Sequence, residues 1–205
     1  MLKSESKQAV EHFFTAVDTE FNGFLKQRTI DEYEKAIQII LDAQAHGGRL
    51  HVTGIGKCSH VSTYAASLLS STGNPAYYLH GTEAIHGSCG QLVAGDVVIA
   101  ISNSGETAEL KATVLAVKNN GCKVIGVSGN PGSWLAKHTD TFLFAGVKEE
   151  GGPLNRAPRN SVLVELLTLQ ALSVALQVEK GCDAVRYVRC HPGGKLGEFR
   201  VGERP

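Results

Sequence analysis

From residue 49 onward, short runs rich in β-branched and aliphatic residues alternate with longer helical stretches, and few folds accept that rhythm. The runs fall at 50–53, 76–79, 97–101, 123–127 and 141–144, bounded by the glycines and polar residues that end strands. Helical periodicity occupies about 58–71, 106–119 and 160–178 between and after them. Strands joined through helices run parallel and cross over with one hand. The expectation is therefore an α/β fold, doubly wound, with a five-stranded parallel sheet flanked by helices.

The residues before the sheet read as two amphipathic helices. Val10, Phe13, Phe14, Val17, Phe21, Phe24 and Leu25 recur at spacings of three and four, and a second stripe follows in Tyr33, Ala36, Ile37, Ile40 and Leu41. Thr29 is the expected cap of the second helix, Asp31 and Glu32 fall in its first turn, and Gly47-Gly48 close it. The chain reads as one domain over 1–205: a helical arm at 1–47, an α/β core at 48–180, and a tail at 181–205 carrying a structured loop. The stretch 162–172 is apolar almost all round, which predicts a buried helix and a candidate contact between subunits.

Composition narrows the partners. Twenty basic residues balance twenty acidic ones, so no bulk field attracts nucleic acid or an anionic membrane, and any anion has to be held locally. Five cysteines, an odd number without a C-x-x-C pair, read as reduced thiols rather than a disulfide framework or zinc ribbon. The polar N-terminus and the absence of an apolar run of bilayer length lead to the expectation of a cytoplasmic protein.

Two turns stand where open α/β sheets bind ligands. In the first, the strand 97–101 runs into Ser102-Asn103-Ser104-Gly105-Glu106-Thr107 and then into a helix. Successive amides, a helix N-terminus and hydroxyls can converge there on a phosphate, although Ser and Thr at such a place also serve as ordinary helix caps. The second turn is Gly54-Ile55-Gly56-Lys57. It is no dinucleotide fingerprint, because Ser59 stands where the third glycine belongs, and no P-loop, because His51 stands where the first does.

Three further glycine-flanked sets carry groups suited to proton transfer: residues 83–87 with Glu83 and His86, residues 148–153 with Glu149 and Glu150, and residues 190–194 with His191. Converting an aldose to a ketose requires ring opening and then proton transfer between adjacent carbons through an enediol. A carboxylate or imidazole performs such steps. Taken singly, each is as readily a structural histidine or a solvated loop charge. The spacings supply no H-x-x-x-H or C-x-x-C, so no metal site is expected.

These blocks together resemble the sugar isomerase (SIS) domain, and within it the arabinose-5-phosphate isomerases, over roughly residues 35–200. The resemblance is carried by residues 54–57, 71–73, 83–87, 96–107, 148–154, 157–158 and 191–197. It implies a five-stranded parallel sheet, dimers or tetramers, no organic cofactor, and interconversion of D-arabinose 5-phosphate with D-ribulose 5-phosphate. It implies that Ser102, Asn103, Ser104 and Thr107 hold the phosphate, that Gly54 and Gly56 line the sugar, and that Lys57, His86, Glu109, Glu150 and His191 form the catalytic set. Within that set, Glu150 is expected to move the proton between carbons, His191 to open the ring, and Lys57 and Glu109 to orient hydroxyls. His86 and His191 are expected to face a neighbouring subunit's site.

Two departures qualify the resemblance. Family members usually continue with a pair of CBS domains, whereas this sequence ends at Pro205, which leads to the expectation of a catalytic core alone. Asn155, Arg156 and Arg159 stand where small, apolar or hydroxyl residues are usual, which raises the expectation of a different sugar length or a second anionic group. The competing readings are a non-catalytic phosphosugar-binding module and a 6-phospho-3-hexuloisomerase-like enzyme.

Overall fold

In the computed structural model, residues 2–203 are described, and they form the sheet that the alternation demands. Strands β1 (Leu50–Gly54), β2 (Ala76–Tyr78), β3 (Val97–Ile101), β4 (Lys123–Ser128) and β5 (Thr141–Phe144) lie in the order β2-β1-β3-β4-β5. Every neighbouring pair is parallel. The helices are α1 (Ser4–Lys26), α2 (Asp31–Ala45), α3 (Lys57–Ser71), α4 (Ala108–Asn119), α5 (Trp134–His138), α6 (Asn160–Glu179) and α7 (Ala184–Cys190). They cover both faces, so β1 and β3 are buried along their whole length.

Strand alternation sorts the core into two layers. Leu50, Val52, Ile99, Ile101, Ile125 and Val127 face Ile40 of α2, Leu69 of α3, and Leu172 and Leu176 of α6. Val98, Ala100 and Val124 face Leu110, Val114 and Val117 of α4 and Leu135 of α5. The N-terminal helices are not a free arm, because Phe24, Tyr33, Ala36 and Ile40 belong to the first layer. Val10 and Phe14 of α1 stay exposed.

Three sequence expectations are corrected. Thr29 caps nothing: α2 begins after Ile30 without a side-chain cap, and the Arg28–Glu32 ion pair at 2.7 Å braces its start instead. Against the expectation that no apolar run reaches bilayer length, helix α6 is long and apolar enough, by length and composition, to cross a bilayer. Its buried face nevertheless carries Ser161, Glu165, Thr168 and Ser173 against the core, while Val174 and Val178 are exposed, so it is buried on one side only. Helices α5 and α7 lie outside the expected set. They are too short for periodicity to reveal, and each is announced only by its cap, Ser133 accepting from the Ala136 amide and Asp183 from the Arg186 amide.

At the N-terminal edge of the sheet, buried Asp96 ties β1 to β3. It accepts from the Arg49 amide at 2.8 Å, the Arg49 guanidinium at 2.9 Å, the Val93 amide at 3.0 Å and His51 Nε2 at 3.1 Å. Burial pushes its carboxyl up, but the Arg49 side chain and the two amides outweigh that and hold it below the ordinary carboxylate range. Burial likewise lowers His51 more than Asp96 raises it, which keeps the imidazole neutral at pH 7. Asp96→Ala leaves the Arg49 and Val93 amides and His51 Nε2 without their acceptor, while the half-exposed Arg49 guanidinium can turn to water. It is expected to cost about 1–3 kcal/mol in urea unfolding at pH 7. Because the folded-state pKa is depressed, the wild type's advantage is full above about pH 4 and shrinks as pH falls below it. An equal stability difference at pH 7 and at pH 3 would remove the ion pair as its cause.

Candidate functional site

The strand order reverses between β1 and β3. From β1 the chain crosses through α3 to β2 on one side, and from β3 it crosses through α4 to β4 on the other. Gly54 pairs with Ile101, so the two turns that follow leave the same point of the sheet in opposite directions and open a crevice between them.

The turn after β3 is held from below and free above. The Asn103 carbonyl accepts from Ser128 Oγ at 3.0 Å and the Gly129 amide at 2.9 Å, and the Gly105 carbonyl accepts from the Leu135 amide at 3.1 Å. Gly105 adopts φ 66°, and a Cβ there would lie 2.2 Å from Ser133 Oγ. Buried Ser102 accepts from the Gly105 amide at 3.1 Å, and its hydroxyl meets Thr107 Oγ1 at 3.1 Å. Ser104 is exposed and accepts from the Glu106 amide at 3.2 Å. Thr107 stands at the cap position of α4, yet its side chain makes no capping hydrogen bond to the helix's first turn among the described residues. The capping role that these hydroxyls could have had is therefore not the one they take, and the α4 amides face the crevice with their partial positive charge.

Glu106 fastens this turn to α5. Its carboxylate accepts from the Trp134 amide at 2.7 Å and pairs with Lys111, and chiefly the Lys111 bond holds it below the usual carboxylate range. Glu109 is exposed in the first turn of α4. Across the crevice, Gly56 takes φ 62° to start α3, and a Cβ on Gly54 would sit 2.8 Å from the Cys58 carbonyl, so both glycines are needed for the turn to close. Lys57 opens α3 with an exposed side chain that has no hydrogen-bond partner among the described residues.

Glu150 approaches from the loop between β5 and α6. It is 9% exposed, and its Oε2 accepts from the Arg159 amide at 2.6 Å and the Ser161 amide at 3.1 Å, so it caps α6 from outside the helix. Its own amide donates to Asn155 Oδ1 at 2.6 Å, and Asn155 adopts φ 47° to provide that acceptor. Oε1 is left without a protein partner among the described residues. Glu149 turns the other way and pairs with His12 of α1 at 2.8 Å, while Glu20 of α1 accepts from the Lys148 amide. Helix α1 thus pins the loop that presents Glu150.

The structure alters the expectation for residues 155–159. Asn155 and Arg159 act on Glu150 through a side-chain carbonyl and a backbone amide. The Arg159 guanidinium lies over Gly152 within its own loop, and Arg156 is exposed.

The two histidine candidates are placed differently, and only His191 is carried to the other end of the sheet. His86 is exposed at the end of a 3-10 turn, Glu83–His86, on the flank of α4, with no hydrogen bond among the described residues. His191 follows α7, stacks on Tyr187 with ring centroids 4.1 Å apart, and bonds the Tyr187 carbonyl at 2.8 Å. Helix α7 is anchored by Arg186 to the Gly73 carbonyl, beyond the far end of α3. Fifteen residues of α3 separate that end from Lys57 by roughly 22 Å. One chain therefore places Gly54, Gly56, Lys57, Ser102, Asn103, Ser104, Thr107, Glu109 and Glu150 on segments at the C-terminal end of the sheet, where the turn of His86 also lies, and leaves His191 beyond the far end of α3.

Sequence reasoning missed Cys58 and Glu165. Glu165 is fully buried on α6, and Cys58 Sγ donates to its Oε1 at 3.5 Å. Its signal was its type: it is the one charged residue inside the apolar run 162–172. Among the described residues, no three His, Cys, Asp or Glu side chains converge as metal ligands would.

Comparison with known proteins places the chain and its fold in a family. The chain is 42% identical over 173 residues to an arabinose 5-phosphate isomerase KdsD of Pseudomonas aeruginosa, covering 84% of this chain and 52% of the relative. It is 35% identical over 196 residues to a KdsD of Francisella tularensis, covering 96% and 59%. It spans about half the length of the curated relatives it matches. Among solved structures, an Escherichia coli CFT073 protein in complex with arabinose 5-phosphate superposes with a TM-score of 0.81 at 32% identity, over 94% of this chain and 100% of that one. A putative sugar-phosphate isomerase from Listeria monocytogenes superposes with a TM-score of 0.85 at 25% identity, again over 94% and 100%. The SIS domain model matches residues 44–175, the whole sheet and the helices that frame the crevice, and the chain belongs to the SIS domain family.

Proposed function

We propose that this chain is an aldose–ketose isomerase acting on a sugar phosphate, and that it interconverts D-arabinose 5-phosphate and D-ribulose 5-phosphate through an enediol. The observation that carries the reading is the crevice itself. A helix N-terminus without a side-chain cap, lined by the Ser102, Ser104 and Thr107 hydroxyls, leaves the same end of the sheet as the turn of Lys57. A carboxylate with one oxygen unpartnered among the described residues stands at that end too. The relatives named KdsD and the arabinose 5-phosphate complex support the choice of sugar.

In this reading Ser102, Asn103, Ser104, Thr107 and the first amides of α4 bind the phosphate. Glu150 takes the proton from C2 of the open aldose as O1 takes one from solvent to give the enediol, and Glu150 then returns its proton to C1 as the C2 hydroxyl gives its proton to solvent and becomes the ketone. No net oxidation occurs. Lys57 and Glu109 orient hydroxyls, and His191 moves the proton from the anomeric hydroxyl to the ring oxygen. His191 lies away from the crevice of its own chain and His86 is exposed without a hydrogen bond among the described residues, and in this reading each serves the site of a neighbouring copy. The active unit is a cytoplasmic homo-oligomer, a tetramer, with the exposed Val174 and Val178 face of α6 available for contact.

Proton NMR of the purified protein with D-arabinose 5-phosphate in deuterium oxide tests this. The expected result is D-ribulose 5-phosphate deuterated at C1, with deuterium at C2 of the D-arabinose 5-phosphate that the reverse reaction re-forms. Saturable binding heat without turnover would favour a phosphosugar sensor, and turnover of 3-hexulose 6-phosphate alone would favour a hexulose phosphate isomerase.

A further inference from the structure

Helix α1 meets the Glu150 loop with one face. Phe13, Ala16 and Glu20 stand at spacings of three and four, with His12 a turn before Ala16, so their side chains leave the helix on the same side. Each meets a residue next to Glu150. Glu20 Oε2 accepts from the Lys148 amide at 2.9 Å, and His12 Nε2 lies 2.8 Å from Glu149 Oε1. Ala16 is buried, and Gly151 takes φ 72° against it: a Cβ there would stand 3.0 Å from Ala16 Cβ and 3.0 Å from Phe13 Cδ2. A small residue on each side lets the loop backbone come this close to the helix.

The other side of the loop belongs to the head of α6. Asn160 Nδ2 donates to the Glu149 carbonyl at 2.9 Å, and the Arg159 and Ser161 amides hold Glu150 Oε2. Residues 148–151 are thus clamped between two helices, and α6 engages one oxygen of the carboxylate while α1 sets the path of the main chain that carries it. The α1 contacts are unequal. The His12–Glu149 pair is exposed on both sides, and ion pairs of that kind contribute little. Glu20 is half-buried, and its carboxylate bonds a backbone amide, which fixes the chain itself rather than a mobile side chain.

We propose that Glu20 is a positioning residue, which through the Lys148 amide holds the loop in the path that keeps Glu150 in place for proton transfer. The proposal rests on the reading of Glu150 given above. A misplacement of about 1 Å can cost a reaction roughly 10²-fold, and a loop released by α1 but still tied to α6 gives up part of that.

Two variants test it. E20A removes the acceptor, whereas E20Q keeps an oxygen there and removes only the charge. With D-arabinose 5-phosphate, kcat of E20A is expected to fall about five- to twentyfold, while KM and the dissociation constant of inorganic phosphate stay within about twofold of wild type. E20Q is expected to recover most of the loss. Wild-type kcat in E20A overturns the proposal, and so does an E20Q as impaired as E20A, which would make the charge responsible and not the bond. A loss of phosphate binding in step with kcat overturns it too, because a general loosening would act on the turn after β3 as well. Independently of turnover, amide hydrogen exchange read residue by residue by NMR is expected to be several-fold faster at Lys148 and Glu149 in E20A than in wild type, and unchanged exchange there overturns the proposal. A wild type without turnover on any sugar phosphate rejects the function proposed above, and the exchange rates still decide whether Glu20 holds the loop.

Discussion

Glu150→Gln is expected to lower kcat by about 10²- to 10⁴-fold, the range for loss of a general base, while KM changes only a few fold. The glutamine can still accept from the Arg159 and Ser161 amides that hold the native carboxylate at 2.6 and 3.1 Å, so the loop keeps its shape. What disappears is the ionised oxygen opposite those amides, which in the proposed reaction receives the proton from carbon. Deuterium incorporation from solvent should fall in parallel with turnover, because exchange and isomerisation share that step. Removing a charge from a helix N-terminus costs about 0.3–1 kcal/mol as well, visible as a small drop in melting temperature. A variant with wild-type turnover would take the base away from Glu150 and leave it the cap of α6 alone.

The parts of this fold that were legible in the sequence are those fixed by period and by local turn chemistry. The run 97–101 is a strand in both readings because all of its residues are apolar and buried, and Gly47 closes α2 with φ 84° as its position after the last periodic residues suggests. The crevice was legible for the same reason, since both turns follow strands directly. What could not be read was any property that depends on distant chain segments meeting. Asn155 looks like a substitution near the sugar until the fold brings its side chain to the Glu150 amide. Glu165 looks like one charge in an apolar helix until α3 presents Cys58 to it. His191 was tied to the catalytic set by resemblance alone, and the anchoring of Arg186 on Gly73 takes it to the opposite end of α3, which no local pattern announces.

Gly105→Ala is expected to raise the dissociation constant for a sugar phosphate by ten- to a hundredfold, on the order of 1.4–2.7 kcal/mol, with a fold that remains intact. The backbone at this position takes φ 66°, which costs a residue with a Cβ roughly 1–3 kcal/mol by itself. The added carbon would also stand 2.2 Å from Ser133 Oγ, 2.5 Å from Ser133 Cβ and 2.9 Å from Ser128 Oγ. Neither serine can yield freely: Ser128 Oγ donates to the Asn103 carbonyl at 3.0 Å, and Ser133 Oγ caps α5 by accepting from the Ala136 amide at 3.3 Å. Relief therefore comes from movement of the turn, which carries Ser104 and Thr107 away from the α4 amides they stand beside. Calorimetry with D-arabinose 5-phosphate measures the loss, and inorganic phosphate as a second titrant separates the anion from the sugar. If both ligands weaken together, the turn is the phosphate anchor; undiminished phosphate binding by the variant would move the anchor elsewhere in the crevice. Ser104→Ala should cost far less, because its exposed hydroxyl supplies one hydrogen bond without shaping the turn.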